Sequence, residues 1–447
     1  MSKKFIAFLL IVLVIAALLS WLIRLDSKKA PGQEAAPQVT IAVQAVETAQ
    51  PEATQQDSDQ AEATAIPLPP ISSTQLNEYK SAAQQAMNCY KDIYLDADKG
   101  GASNVVLSDT TVAQIVSALG ANGYSAIDYF CQVNMQNAQA LIDFGNTVNA
   151  GMDAEACYYV VHSDGSLHAN NLSYKNGVAS VVTVSAEWDG KKPSVYSTGQ
   201  FALTNLRLTN KGWLICTRDS EGGGASWAVN GNAYTFVRLV PYDETKRQLG
   251  EKYLGDTAYS ENNLFTCTWS TADYGNLDLN SLFLVLYSRY YGTEPLSNDN
   301  MKMITGFENV PDTNLHLVPY EQYERVISHY IDLSSETIRW LSDTSSKYGA
   351  YLVLGTRQEY YNNRTPKLPT PEVTDYWYNS DGSLTLKVDA VFPAYDTDCA
   401  FTHEVTIMET EDGFRYVSNR VYESENNIIP ELVLRGERKN QIAAMDK

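Results

Sequence analysis

The chain is poor in histidine and in basic residues, and its few cysteines follow no metal-binding spacing. Among 447 residues there are five histidines, and 33 Lys and Arg stand against 53 Asp and Glu, a net charge of −20. Such a charge repels phosphate backbones, which excludes nucleic acid as a partner. The absence of any C-x-x-C pair excludes zinc-finger and thioredoxin-like sites. Because the cysteines lie in apolar segments, we expect buried free thiols or one bridge, although up to three disulfides are possible. They are Cys89, Cys131, Cys157, Cys216, Cys267 and Cys399.

Motifs of the common catalytic centres are also missing. There is no G-x-S-x-G nucleophile elbow, and Gly222-Gly223-Gly224 lacks the Lys-Ser/Thr of a phosphate-binding loop, so we interpret it as a hinge. His403-Glu404 does not extend to H-E-x-x-H. A calcium-like loop from Asp96 has Leu107 where the bidentate carboxylate is needed. The sequence therefore predicts no catalytic residue, no metal ligand and no cofactor.

Two histidines lie close to one predicted turn. His162 and His168 flank Asp164-Gly165, and a hairpin pairing across that turn could bring the two rings together. A zinc site would need two further ligands, so we expect exposed turn histidines instead.

The N-terminal region predicts a membrane anchor followed by a stalk. Phe5 to Ile23 is an uncharged run of 19 residues, enough for a hydrocarbon core of about 30 Å. Because no small-residue cleavage site follows it, we predict a signal anchor at 5–24 that is retained as the membrane contact. With four residues before it, 1–4 would be cytoplasmic and the bulk extracytoplasmic, as in a single-pass cell-membrane protein. Residues 30–72, with six prolines, six acidic residues and no basic or aromatic residue, predict a disordered stalk.

Helical periodicity begins after the stalk and later gives way to a period of two. Ser72 and Gln75 have capping-box spacing, Ser108-Asp109 opens a second helix, and Leu141 lies in a third. From Ala154 alternating segments are separated by Asp-Gly and Asn-Gly turns, which indicates antiparallel strands. Helices followed by a meander are typical of an α+β fold.

The same order recurs in the second half of the chain. Helical patterns at 279–291, 319–331 and 334–341 precede strand patterns at 348–356, 372–378, 384–392, 400–408 and 414–421. We therefore predict two tandem α+β domains, at 73–221 and 242–425, with a linker at 222–241 and a tail at 426–447. Helices packed on a bent antiparallel sheet in this order resemble the cystatin-like and nuclear-transport-factor-like cone folds.

A pentapeptide, SDGSL, occurs once in each predicted domain, at Ser163–Leu167 and Ser380–Leu384. It is either a trace of duplication or a chance recurrence, since Asp-Gly is favoured by the positive φ angles of type I′ turns.

Four stretches carry a family resemblance. Lys252–Asp256 and Leu264–Trp269, together with Tyr320–Arg325 ahead of Ser334–Thr337, resemble uncharacterised membrane-anchored extracytoplasmic proteins of Gram-positive Firmicutes, a domain of unknown function. The resemblance covers most of the chain after the stalk. It implies a location and an architecture but no activity.

Tyrosine is abundant, with 29 residues, 19 of them after Pro241. A large apolar face with a polar tip suits glycan or protein surfaces, while the same spacing also suits a core. The candidate binding residues are Tyr290, Tyr291, Tyr323, Tyr360, Tyr361, Tyr376 and Tyr378. We expect a non-catalytic binding or scaffolding protein of the cell envelope, with an envelope protein or glycan as partner. The alternative is an envelope hydrolase, acting on a cell-wall or glycan substrate, with an unrecognised site. The oligomeric state is left open.

Overall fold

The computed structural model describes residues 68, 70–101, 104–218, 234–259, 262–274, 276–292, 315–345, 349–354 and 368–430. The predicted anchor at 5–24 and the predicted stalk up to residue 67 lie outside these residues, as do positions 431–447 of the predicted tail. Among the described helices, none combines the length and the apolar character needed to cross a membrane. The described residues all belong to one compact unit.

The described chain is α+β, as the order of patterns predicted. The helices are α1 (Ser73–Asn88), α2 (Lys91–Asp96), α3 (Asp109–Ala121), α4 (Gln139–Asn149), α5 (Glu244–Tyr253), α6 (Leu279–Tyr291), α7 (Tyr320–Tyr330) and α8 (Ser335–Leu341). The strands are β1 (Ala126–Asp128), β2 (Ala154–Val161), β3 (Leu167–Lys175), β4 (Val178–Asp189), β5 (Lys192–Leu208), β6 (Trp213–Arg218), β7 (Tyr234–Arg238), β8 (Trp269–Ser270), β9 (Leu315–Pro319), β10 (Thr344–Ser345), β11 (Ala350–Leu354), β12 (Thr370–Tyr378), β13 (Leu384–Val391), β14 (Thr402–Thr410) and β15 (Gly413–Val421).

Serine side chains start three of the helices where the sequence predicted them. The hydroxyl of Ser72 accepts the backbone N–H of Gln75 at 3.1 Å, which begins α1. Ser108 and Ser334 cap α3 and α8 in the same way. Each cap satisfies one of the N–H groups that the first helical turn leaves without an intrahelical partner. Gly292 ends α6 at a φ of 62°, a left-handed conformation that favours glycine.

The first half of the chain builds a curled seven-stranded mixed sheet in the order β1 to β7. β1 runs parallel to β2, and the remaining neighbours are antiparallel. Successive side chains of a strand face opposite sides, so Tyr159 packs among residues of α1 and α3 such as Met87. Its neighbour Tyr158 faces the other side, with Phe144 of α4. The sheet is therefore covered by helices on both faces.

The second half contains a five-stranded sheet, in the order β12-β13-β14-β15-β8, and a three-stranded sheet, in the order β10-β11-β9. One core serves both of these sheets and helices α6 and α7. Tyr323 lies in it without solvent exposure, with its ring stacked 4.7 Å from Phe283 and 4.0 Å from Tyr351. Tyrosine thus serves as a core residue here.

The predicted linker at 222–241 contains strand β7, which pairs with β6 through Trp213 and Arg238. The N-terminal sheet therefore extends beyond the predicted boundary at 221. From β7 and the turn before β6, Arg238 and Lys211 form ion pairs with Glu372 and Asp389 of the C-terminal sheet. The division into two domains remains a prediction.

The two SDGSL segments fold into the same turn. Asp164 and Asp381 each accept the backbone N–H of the serine two residues later, at 2.9 Å and 3.0 Å. Gly165 and Gly382 have φ angles of 79° and 84°. In each turn only the glycine has a positive φ, whereas a type I′ turn needs two such residues, so neither turn is of type I′.

Candidate functional site

A cavity of about 320 Å³ lies on the face of the N-terminal sheet that carries Tyr158. Its walls come from strands β1 to β7, from the loop after β1, from Thr370 and Val391 of the C-terminal sheet, and from Pro393, which lies just after β13. Small-ligand sites in proteins have volumes of about 300–1,000 Å³ and are mostly apolar with a few polar groups. The size of this cavity therefore suits a small molecule.

Strand register places a polar row across the floor of the cavity. Tyr158 pairs with Asn170, Asn170 with Thr183, and Thr183 with Gly199. The Thr183 hydroxyl donates to Oδ1 of Asn170 at 3.0 Å. At Gly199 a Cβ atom would lie 2.6 Å from the ring of Phe201. The missing side chain allows this ring to lie along its own strand, where it forms part of the wall.

The two histidines that flank the first Asp-Gly turn meet in the cavity wall. The rings of His162 and His168 are 4.2 Å apart, and Tyr129 lies 4.6 Å from the ring of His162. Both histidines are half-buried rather than exposed as expected. Burial lowers the pKa of His162, and it lowers the pKa of His168 to about 3, so both rings are neutral at pH 7. Nε2 of His162 is buried without a hydrogen-bond partner among the described residues.

Asp128 positions the loop that forms one wall. Its carboxylate accepts the backbone N–H groups of Phe130, Gln132 and Val133 at 2.9–3.0 Å. Within this loop Cys131 has a φ of 56°, a conformation that costs a non-glycine residue about 1–2 kcal/mol. Three charge-assisted hydrogen bonds offset that cost and fix the wall. They also engage both oxygens of the carboxylate.

One cation and two thiols also line the cavity. The guanidinium of Arg218 lies 4.6 Å from the ring centre of Phe201, and burial lowers its pKa. Burial also raises the pKa of the Cys131 and Cys216 thiols to about 12. All six cysteines are free, as expected, but only Cys216 is fully buried and the other five are partly exposed. No group of three metal-ligating side chains occurs among the described residues.

The predicted tyrosine sites lie in the C-terminal half. The rings of Tyr290 and Tyr291 are in contact, 4.8 Å apart, at the end of α6. Tyr376 and Tyr378 share one face of β12, and Tyr378 is exposed. Tyr323 is a core residue and presents no surface for binding in this conformation. Tyr360 and Tyr361 lie outside the described residues.

Sequence reasoning did not find the cavity. Its residues come from strands far apart in the chain, and only the register brings Asn170 beside Thr183. The sequence did contain one signal of the cavity. His168 and Asn170 are polar, and they lie on a face of β3 where a uniformly apolar core would have apolar side chains. Alternation placed both side chains on one face, and the sequence did not reveal that a cavity lies above them.

Comparison with known proteins identifies a family and no function. The model of a family of unknown function, DUF6070, matches residues 76–435. No curated protein and no solved structure matches the chain.

Proposed function

Since the chain belongs to the DUF6070 family, a family of unknown function, we propose its role from its own geometry: a non-catalytic binding protein of the cell envelope whose cavity holds a small ligand. The observation that carries this proposal is the cavity of about 320 Å³. Specific local features determine its shape, including the three hydrogen bonds to Asp128 and the missing side chain at Gly199.

The chemistry of the cavity favours binding over hydrolysis. A thiol whose pKa is about 12, as at Cys131 and Cys216, is protonated at pH 7 and is a poor nucleophile. The carboxylate of Asp128 is engaged by three backbone amides and is not placed to act as a general acid or base. The alternative, an envelope hydrolase acting on a cell-wall or glycan substrate, therefore has less support.

The location belongs to the same proposal. The apolar run at 5–23 would hold the chain in the cell membrane, and the acidic stalk at 30–72 would extend the binding unit away from the lipid surface. The resemblance to membrane-anchored proteins of Gram-positive Firmicutes agrees with this arrangement. The likeness of the element order to cystatin-like and nuclear-transport-factor-like cones bears on the fold of the binding unit and not on its location. Exposed tyrosines such as Tyr291 and Tyr378 would then be available to an envelope protein or a glycan.

Filling the cavity tests the binding function. Thr183→Phe places a ring on the cavity floor, and Thr204→Phe places the same ring at an exposed position of β5. The full-length protein is screened by thermal unfolding against aromatic acids, fatty acids, amino acids and short glycans. A ligand at 100 times its dissociation constant stabilises the folded state by about 2.7 kcal/mol. We expect one class to raise the midpoint of wild type and Thr204→Phe but not of Thr183→Phe. An equal rise in all three proteins, or no rise with any class, overturns the proposal.

Surface labelling tests the location. A membrane-impermeant amine reagent applied to intact cells should biotinylate the lysines of this chain while a cytoplasmic control protein stays unlabelled. Labelling only after the cells are lysed would contradict an extracytoplasmic location and leave the cavity proposal standing.

A further inference from the structure

The cavity lining has one positive and one negative side chain, and they differ in whether other groups satisfy them. The whole chain has a net charge of −20. Arg218 and Asp128 are the two charged residues of the lining. Both oxygens of Asp128 are engaged by backbone amides. No carboxylate of the described residues forms an ion pair with Arg218, whose guanidinium lies over Phe201 instead. Within the described part of the chain, the cavity therefore presents a positive charge that no carboxylate compensates.

The neutral polar groups of the cavity include hydrogen-bond donors. Because Oδ1 of Asn170 accepts from Thr183, the amide Nδ2 of Asn170 is left to donate. The neutral imidazoles of His162 and His168 carry one N–H each. Nε2 of His168 lies 3.3 Å from the hydroxyl of Tyr196, whereas Nε2 of His162 has no partner in the described part of the chain. A ligand that supplies oxygen acceptors would satisfy Nδ2 of Asn170 and, in the tautomer that is protonated there, Nε2 of His162, whose burial unpaired costs free energy.

Six aromatic side chains stand beside eight aliphatic ones in the lining of the cavity. The aromatic ones include Tyr158, Phe201 and Phe236, and the aliphatic ones include Val391 and Pro393. Aromatic side chains pack favourably against other rings in offset or edge-to-face geometry. A flat ring system fits both this lining and the volume of about 320 Å³.

We propose that the ligand is an organic acid with an aromatic body, held with its carboxylate on Arg218 and its rings against Phe201 and Phe236. This inference rests on the proposed binding function and deepens it. Arg is suited to the role because its planar fork donates two parallel hydrogen bonds to a carboxylate.

The test compares probes of one shape and different charge. Binding of 2-naphthoate, 2-naphthamide, 2-naphthyl phosphate and decanoate to the full-length protein is measured by titration calorimetry, with an empty-detergent blank. We expect 2-naphthoate to bind at least about tenfold more tightly than 2-naphthamide, the ratio that a hydrogen bond to a charged group supplies. Decanoate should bind more weakly because it lacks rings, and the phosphate ester should bind more weakly because one cation neutralises only part of its charge.

Variants locate the anion. Arg218→Met should weaken 2-naphthoate at least about tenfold and leave 2-naphthamide unchanged. Arg415→Met, which removes the same charge from an exposed ion pair with Asp332, should change neither. Arg218→Lys keeps the charge and should retain part of the affinity if the methionine variant does not fold.

The outcomes separate the two proposals. Equal binding of the acid and the amide, or full affinity in Arg218→Met, overturns the organic-acid inference and leaves cavity binding intact. Tighter binding of decanoate overturns the aromatic body, and tighter binding of the phosphate ester overturns the carboxylate. If no probe binds and the wider screen also fails, both proposals fall.

Discussion

The indole Nε1 of Trp213, on β6, donates a hydrogen bond of 2.9 Å to Oε2 of Glu372, on β12. The same oxygen is paired with the guanidinium of Arg238, so one carboxylate joins the N-terminal and C-terminal sheets. Trp213 also lines the cavity. The contact between the two halves is therefore continuous with the wall of the proposed site.

Removing the charge of Glu372 should destabilise the protein strongly. The side chains of Arg238 and Glu372 are 15% and 9% exposed, so Glu372→Gln leaves a guanidinium that is mostly buried without its counter-charge. We expect the free energy of unfolding, measured by urea denaturation, to fall by about 3 kcal/mol. Glu321→Gln is the matched control, because its ion pair with Arg325 is exposed at 85% and 51% and should cost less than about 1 kcal/mol. Similar losses in the two variants would show that the pair between the sheets contributes no more to stability than an exposed ion pair.

Local signals predicted the helix ends well because their causes are local. A serine hydroxyl at Ser108 or Ser334 reaches a backbone N–H three residues away, and Gly292 adopts its left-handed conformation within the chain that the helix has just left. Helix α5 escaped notice because its sequence, Glu244–Tyr253, is almost entirely polar. Its cap at Asp243 was visible, but its apolar stripe is too narrow to detect without the sheet against which it packs.

The candidate site could not be predicted because it depends on distant partners. Whether His162 is exposed depends on Tyr129 lying against it, and that depends on the loop fixed by Asp128. The surface role predicted for Tyr323 failed for a similar reason. Its helical spacing suits a surface or a core equally well. Tyr323 is buried because Phe283 and Tyr351, from other elements, pack against its ring.

Neutralising Asp128 should loosen the cavity wall. In Asp128→Asn one of the two acceptor oxygens becomes an NH₂ group that faces backbone N–H donors. We expect a loss of about 1–3 kcal/mol in unfolding free energy and faster hydrogen exchange at the amides of Phe130, Gln132 and Val133. Asp143→Asn, on α4, alters an exposed contact with Gln139 and should change stability by less than about 0.5 kcal/mol. Unchanged exchange in the loop of Asp128→Asn would refute the positioning role.

Acid should destabilise the protein through His403. This ring is fully buried, with Nδ1 2.7 Å from Oδ1 of Asn419 and Nε2 2.9 Å from the hydroxyl of Tyr259. The amide of Asn419 donates to the carbonyl of Cys267, so its oxygen faces the ring. Nδ1 therefore carries the proton, and Nε2 accepts from Tyr259. A neutral tautomer satisfies the site.

The sign of the pH effect follows from the pKa. Burial lowers the pKa of His403 to about 4, with Asn419 and Asp389 opposing it. As the pH falls below about 6.5, the unfolded chain takes up the proton before the folded one, and stability falls until about pH 4. This group contributes up to about 3 kcal/mol to the loss. The free energy of unfolding is measured by urea denaturation at several pH values between 7 and 4. Its slope against pH should be shallower in His403→Gln than in wild type, while His329→Gln, on α7, should change that slope less. Identical slopes in wild type and His403→Gln would refute the assignment.

The two SDGSL turns allow one substitution to be compared in two settings. Gly165 and Gly382 have nearly equal φ angles, 79° and 84°. Backbone strain from alanine should therefore be the same at both positions, about 1–2 kcal/mol. Their surroundings differ. A Cβ atom at Gly165 would lie 2.6 Å from the ring of Tyr94, whereas a Cβ atom at Gly382 meets nothing within 4 Å.

Gly165→Ala should therefore lower the free energy of unfolding more than Gly382→Ala, because the packed ring of Tyr94 must move. Tyr94 cannot yield freely, because its ring is stacked 4.9 Å from Trp188. Overpacking of this kind costs about 1–3 kcal/mol, and this range is the expected difference between the two variants in urea denaturation. Equal losses would mean that Tyr94 shifts without cost, and that the turn alone, rather than its contact with α2, requires glycine at position 165.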